Sequence, residues 1–305
     1  MSTEYIHFTT EQREVARQTD LVALLQSQGE HLKRSGKEYV WRDGSEKVTV
    51  RGNLWFHQYE RIGGDAVDFV RRFYNMDFPQ AVNFLLGNNG GTLPQAEPVK
   101  QEPKKPFELP PQNDNMRRMY AYLLNRRGID REVLSAFVHK GMIYESADYH
   151  NAVFVGYDEK GIACHAHKRG TGSESTYKGN AESCDPRYSF HWTGTDNTLY
   201  LFEAPIDMLS FISLHKENWR SHSYAAACCV GDQVLFQMLQ ANPNIDTVCL
   251  CMDNDAAGQA ANKRISDKLF IQGIKHEILV PEFKDWNEDL LCDEQEETEC
   301  QTLQL

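Results

Sequence analysis

From Thr198 to Leu290, short apolar runs alternate with amphipathic stretches, and no other feature narrows the fold as far. TLYLFE precedes APIDMLSFISLHKE, SYAAACCVG precedes DQVLFQMLQAN, TVCLCMD precedes DAAGQAANKRISDKLFIQG, and KHEILV ends the series at Pro281. The runs have strand length and the stretches between them have helix length. Such alternation needs crossover connections, so the strands run mainly parallel and helices cover both faces of the sheet. Ligands of open sheets of this kind gather beyond the carboxyl ends of the strands. Glu203, Gly231, Asp253 and Asp255 fall there.

These carboxylates carry the chemistry. Asp253 and Asp255 flank Asn254 at a strand-to-helix turn, and Ala256, Ala257 and Gly258 let the helix begin close to the sheet. Two like charges this near repel unless a cation or a shared proton relieves them. The pair reads as a divalent-metal site or as a helix cap with a first-turn acid. Glu203 reads as a general acid or base, or as a further ligand. The segment FKDWNEDL adds Asp285, Glu288 and Asp289, with Lys284 beside them, and reads equally as a charged surface turn. Carboxylates that hold Mg²⁺ or Mn²⁺ can orient phosphate and neutralise charge, which supports nucleotidyl transfer, strand scission or religation.

The net charge of -12 provides no global positive field for nucleic acid. A nucleic-acid role therefore needs a local basic surface or a metal bridge to phosphate. Arg126, Arg127, Lys168, Arg169 and Lys178 are candidate phosphate contacts, although such pairs also occur on ordinary surfaces. His165 and His167 share a strand face and read as packed residues rather than a metal pair. Several of the eight cysteines lie in apolar runs, and Cys249 and Cys251 lack a second pair at zinc spacing. No run is as long as a membrane span, and the polar start MSTEYIHFTTEQRE does not read as a signal peptide. A reducing cytoplasm is the expected location, with no membrane partner.

Ahead of the alternating region the chain divides at residues 87–112, where Pro and Gly dominate and read as a linker. Residues 1–86 read as a helix opened by Thr10 and running on through LVALLQSQG, a small sheet, and two helices after Gly63-Gly64, the first capped by Asp65. Trp41, Trp55, Phe56, His57 and Tyr59 read as the core of that sheet, or as a base-stacking surface beside Lys33, Arg34 and Lys37. Residues 113–196 read as a helix ended by Gly128, a second helix from Asp130, a hairpin turning at Asp158–Gly161, and a polar loop. Residues 197–291 are the alternating domain, and 292–305 an acidic tail expected to be disordered.

LYLFEAPIDMLSF, CCVGD and VCLCMDNDAAGQAA together resemble a Toprim domain, the metal-binding fold of DnaG-type primases, topoisomerases and some nucleases. The resemblance implies that Glu203 is the acid or base, that Asp253 and Asp255 bind Mg²⁺, and that Asp285 and Asp289 complete the metal set. YLLNRRGIDREVLSAFVHKGM with NAVFVGYDEKGIACHAHKRG resembles the amino-terminal half of the primase polymerase core. It implies nucleotide or template contacts by Arg127, Lys168, Arg169 and Lys178, with Lys284 nearby. LKRSGKEYVW and LWFHQYERIGGDAVDFV resemble the primase zinc-binding module. That module's cysteines and histidine are replaced by WRDGS and by Gln58, Tyr59, Glu60 and Arg61 after His57, so no zinc is expected. The glutamate motif also departs, with Ala204-Pro205 where the family carries Gly-Tyr.

The resemblance thus implies an α/β Toprim domain joined to a small α+β primase-core subdomain, preceded by a small α+β zinc-ribbon-like module without zinc ligands. The implied function is metal-dependent primase-like nucleotidyl transfer on single-stranded DNA, in replication or transfer of a plasmid, conjugative element or phage. Single-stranded DNA and nucleotides are the implied ligands, and a helicase or relaxase of the same element the implied protein partner. Two alternatives stand beside it. One is a Toprim nuclease. The other is an inactive accessory or inhibitory protein, favoured by the net acidity and lost zinc ligands and opposed by the retained carboxylates.

Overall fold

The structure is a computed structural model that describes residues 8–43, 46–60, 62–87, 94–96, 105–228 and 231–293. Gly44, Ser45, Arg61, Cys229, Cys300, most of the Pro/Gly-rich stretch and the acidic tail past Asp293 lie outside the described residues. The chain separates into two compact units, residues 1–103 and 104–305. Among the described residues no helix is long and apolar enough to cross a membrane.

In the first unit Thr9, not Thr10, caps α1 (Thr10–Arg17), through a reciprocal pair with Gln12. The single helix expected from Thr10 is two. α1 stops at Gln18, and Asp20 caps α2 (Leu21–Ser27). The break has a tertiary cause. Asp20 N–H donates to Pro94 O at 2.9 Å and Ala96 N–H donates to Gln18 O at 2.8 Å, so this backbone pairs sideways instead of continuing the helix. Strands β1 (Leu32–Ser35), β2 (Glu38–Asp43), β3 (Glu46–Arg51), β4 (Leu54–His57) and β5 (Gly63–Gly64) form an antiparallel sheet in chain order. Gly63 lies so close to β4 that a Cβ there would stand 2.5 Å from Trp55 O. Asp65 then caps α3 (Ala66–Phe73), and Asp77 caps α4 (Phe78–Leu85). Trp41 and Trp55 are buried, each with its ring centre 5.2 Å from that of Phe73. The aromatic cluster is a core, and the base-stacking alternative does not hold for these two rings.

The second unit opens with α5 (Arg117–Tyr120), which passes into a π-helical segment, Ala121–Arg126, before Gly128 turns the chain at φ 66°. Asp130 caps α6 (Arg131–His139). Strands β6 (Ile143–Glu145), β7 (Ala152–Tyr157), β8 (Ala163–Arg169) and β9 (Lys178–Asn180) form an antiparallel sheet in chain order. β7 and β8 make the expected hairpin. β9, expected as loop, is a short polar strand pairing Lys178 opposite Arg169.

The remainder is a five-stranded sheet of β10 (His191–Trp192), β11 (Thr198–Phe202), β12 (Ser223–Ala226), β13 (Thr247–Cys251) and β14 (Lys275–Ile278), in the order β10-β12-β11-β13-β14. Only β10 is antiparallel to its neighbour. The crossovers are α7 (Pro205–Leu214), α8 (Gln233–Ala241) and α9 (Ala256–Ile271). Alternation along the strands sorts side chains to two faces. Phe202, Cys249 and Cys251 join the core with α6 and α7, whereas Leu201, Val248 and Leu250 join the core with α8 and α9. The first of these cores also takes in Met119, Phe154 and Trp286, so it is shared by both sheets of this unit. The architecture is α/β, a mainly parallel sheet with helices on both faces joined to a smaller α+β part.

Candidate active site

β11 and β13 are parallel neighbours, with Phe202 opposite Cys251. Glu203 directly follows β11 and Asp253 lies two residues past the end of β13, so both emerge at the carboxyl edge of the sheet. The segment bearing Asp285 is tied to that edge. Trp286 Nε1 donates to Cys251 O at 3.0 Å, and Asn254 N–H donates to Lys284 O at 2.8 Å. The result is a cleft of about 190 Å³ with two electrical sides. Glu203, Asp207, Asp253 and Asp285 line it, and so do Arg127, Arg169, Lys178 and Lys284.

The acids strain against one another. Burial, then the charges of Glu203, Asp285 and Asp255, push the Asp253 carboxyl up to about 7, with Lys178 opposing. Burial raises Glu203 too, against the pull of Lys178 and Lys284. Asp207, held in the first turn of α7 and buried, is raised well above the carboxylate range by burial and by Asp253, Asp285 and Glu203. Asp253 Oδ1 is buried with no hydrogen-bond partner among the described residues. Either protons or a cation must relieve such a group. An oxygen-only donor set of Glu203, Asp253 and Asp285 suits a hard divalent cation. The side chains stand around the cleft and do not converge: among the described residues no three His, Cys, Asp or Glu are gathered as a ready-made metal site.

Asp255 and Asp289 do not line the cleft, and these two and Asp285 each accept backbone hydrogen bonds. Asp255 Oδ1 accepts from Ala257 N–H and Gly258 N–H, both at 2.9 Å, and caps α9. Asp289 accepts from Phe283 N–H at 2.8 Å and Glu282 N–H at 2.9 Å, pinning the turn ahead of its own helix, 286–293. Asp285 caps that helix through Asn287 N–H and Glu288 N–H. Lys168 does not line the cleft, and its ammonium lies 5.8 Å from the centre of the Tyr177 ring.

On the basic side the arginines share one anchor. The buried Tyr122 hydroxyl accepts from Arg127 Nε at 2.9 Å and from Arg169 Nε at 3.2 Å. Tyr122 and Arg127 are five residues apart. The π segment brings them onto one face, and Arg127 N–H donates to Tyr122 O at 3.1 Å. Arg127 Nη1 also donates to Asn287 Oδ1 at 2.9 Å, while Asn287 Nδ2 donates to Ser210 Oγ at 2.9 Å and to Arg127 O at 2.7 Å. His167 lines the cleft, bonded to Asn180 at 2.7 Å and held down to about 4 by burial. His165 is fully buried, and both its ring nitrogens lack partners among the described residues.

Sequence reasoning passed over Asp207, Tyr122 and Asn287 as site residues. Asp207 carried a signal, an acid shortly after Glu203, in the first turn of the helix that follows the strand. A five-residue spacing matches no α-helical face, so Tyr122 carried none.

Residues 200–290 match the Toprim-like family, and residues 121–196 match DUF3991, a family described as of unknown function. The uncharacterized protein pXO2-78 of Bacillus anthracis is 26% identical over 274 residues, covering 85% of this chain and 79% of the relative. Among solved structures, the primase fragment of the bacteriophage T7 primase-helicase protein is similar at a TM-score of 0.44 and 19% identity, over 59% of this chain and 73% of that one. The Aquifex aeolicus primase, comprising zinc-binding and RNA polymerase domains, is similar at 0.40 and 17% identity, over 96% and 84%. The E. coli primase catalytic core is similar at 0.40 and 16% identity, over 59% and 69%.

Proposed function

We propose, with the Toprim-like domain of residues 200–290 as premise, that this chain performs primase-like, divalent-metal-dependent nucleotidyl transfer on single-stranded DNA. The supporting observation is the cleft itself, in which four carboxylates face a solvent-accessible space together with two arginines and two lysines. Asp253 and Asp285 are the residues that would hold Mg²⁺ or Mn²⁺. Such an ion supplies charge neutralisation at phosphate oxygens. Arg127 and Arg169 present guanidinium groups to phosphate, steadied by Tyr122, and Lys178 and Lys284 add point charges. In nucleotidyl transfer the 3′-hydroxyl oxygen bonds to the α-phosphorus as the bond to pyrophosphate breaks. With the ion held by Asp253 and Asp285, Glu203, which lines the same cleft, is the proposed acceptor of the hydroxyl proton. Residues 1–86 are a zinc-module-like fold that stands on its aromatic core, 113–196 a primase-core-like part, and 197–291 the Toprim part. The setting is the cytoplasm, in replication or transfer of a mobile element alongside its helicase or relaxase.

Incubation with single-stranded template, labelled nucleotides and Mg²⁺ or Mn²⁺ tests the proposal. Short labelled primers are expected from wild type and from His57→Ala, and none from Asp253→Ala. Cutting of labelled circular or linear DNA without primer synthesis would transfer the site to a nuclease. Identical behaviour of wild type and Asp253→Ala in both assays would sink both enzymatic readings.

A further inference from the structure

Asp253 borders a second cleft, of about 470 Å³, between α9 and the end of β14. None of the other charged residues of the first cleft lines it. α9 buries one stripe, Gly258, Asn262, Ile265 and Leu269, and Asn262 is its polar interruption. Asn262 is 5% exposed, lines the cleft, and its Oδ1 has no hydrogen-bond partner among the described residues. An aliphatic side chain would serve a merely structural stripe better, since a buried acceptor left unpaired is costly. The neighbouring polar groups do not satisfy it. Ser266 Oγ is bonded to His276 Nε2 at 2.6 Å, and Lys263 pairs with Asp267 at 3.0 Å. Opposing this polar wall on the β14 side are Ile278 and Val280, 46% and 52% exposed.

A ligand that suits these walls is flat and apolar on its face, with a donor beside an acceptor on its edge. A carboxamide presents an acceptor beside a donor, the complement of the adenine N6 amino group and N7. The volume lies in the range of small-molecule sites. We propose that this second cleft binds a nucleobase, preferring adenine, whose edge bonds to the Asn262 amide and whose face rests on Ile278 and Val280. The base belongs either to a free adenine nucleotide or to a single strand, and the test has an arm for each.

Binding is measured on the full chain in EDTA, which removes divalent metal from the first cleft. AMP and UMP form one arm, and short dA and dT oligonucleotides the other. Adenine is expected to bind about tenfold more tightly than the pyrimidine, the size of one bidentate base contact. Asn262→Leu, which completes the apolar stripe, and Val280→Glu, at an exposed position, should each abolish that preference, and Glu203→Gln should keep it. Should Asn262→Leu fail to fold, Val280→Glu decides. A preference seen with AMP alone assigns the free nucleotide, and a preference strongest with dA assigns the strand. Equal affinity for adenine and pyrimidine in both arms, or a preference that survives Val280→Glu or disappears in Glu203→Gln, overturns the proposal.

Discussion

At the scale of single residues, the buried polar groups divide into those with partners and those without. His165 has none, and burial holds its imidazole down to about 3 from an ordinary value of 6.5. The unfolded chain therefore takes a proton that the folded chain refuses. This contribution to stability is whole above pH 6.5 and is lost as pH falls towards 3, at up to about 1.4 kcal/mol per pH unit. Urea midpoints at pH 7 and pH 5 should differ less in His165→Leu than in wild type. Tyr122 is the opposite case, one hydroxyl serving two guanidinium groups. Tyr122→Phe should change stability by only about 1 kcal/mol, and if the chain acts on single-stranded DNA as proposed, its affinity, read by fluorescence anisotropy, should fall several-fold. Asp253 was visible in the sequence because an acid after an apolar run is a strand-end signal. Its neighbour Asp255 fitted two readings equally, and only the placement of the Ala257 and Gly258 amides shows it capping α9.

At the scale of elements, the alternating strands and helices were legible because burial on both faces writes each β-strand as a continuous apolar run. The break between α1 and α2 was not, because it depends on Pro94 and Ala96, more than seventy residues away in the chain. β9 escaped notice because three polar residues at a sheet edge bear no pattern. The start of α9 is the tightest junction. A Cβ on Gly258 would lie 2.0 Å from Asp253 O, so Gly258→Ala must push the helix or the site strand aside. A destabilisation of about 1–3 kcal/mol, seen as a lowered melting temperature, is expected from such overpacking. The join of α5 to β6 rests on Glu145, which is fully buried. Burial pushes its carboxyl up, yet hydrogen bonds from Met119 N–H, His150 and Asn113 outweigh that and hold it below the ordinary range. Glu145→Ala leaves those donors unpaired and should cost about 3 kcal/mol in chemical denaturation.

At the scale of the whole molecule, the Pro/Gly-rich stretch pointed to a division of the chain, and the structure divides it into residues 1–103 and 104–305. Composition could not reveal that one core, from Met119 to Leu290, spans both sheets of the second unit. The strands of those sheets are separated in sequence, and contact between them is decided by packing. Each unit has its own core, so residues 104–305 expressed alone should unfold in one cooperative calorimetric transition. If the cleft acids hold Mg²⁺, free metal at a hundred times its Kd should stabilise the protein by about 2.7 kcal/mol. Asp253→Ala should erase that gain without any assay of activity.

The π segment Ala121–Arg126 lets the basic side of the cleft keep its geometry across a one-residue change in chain length. On an α-helix each residue advances the face by about 100°, so positions five apart stand about 140° out of phase. The wider turn is what puts Arg127 in phase with Tyr122. Deleting one residue between them would leave the pair four apart on a regular α-helix, only about 40° out of phase, so the arginine would stay beside its anchor. A one-residue alignment gap inside this stretch would therefore mark a relative that keeps the tyrosine–arginine pairing on a plain α-helix.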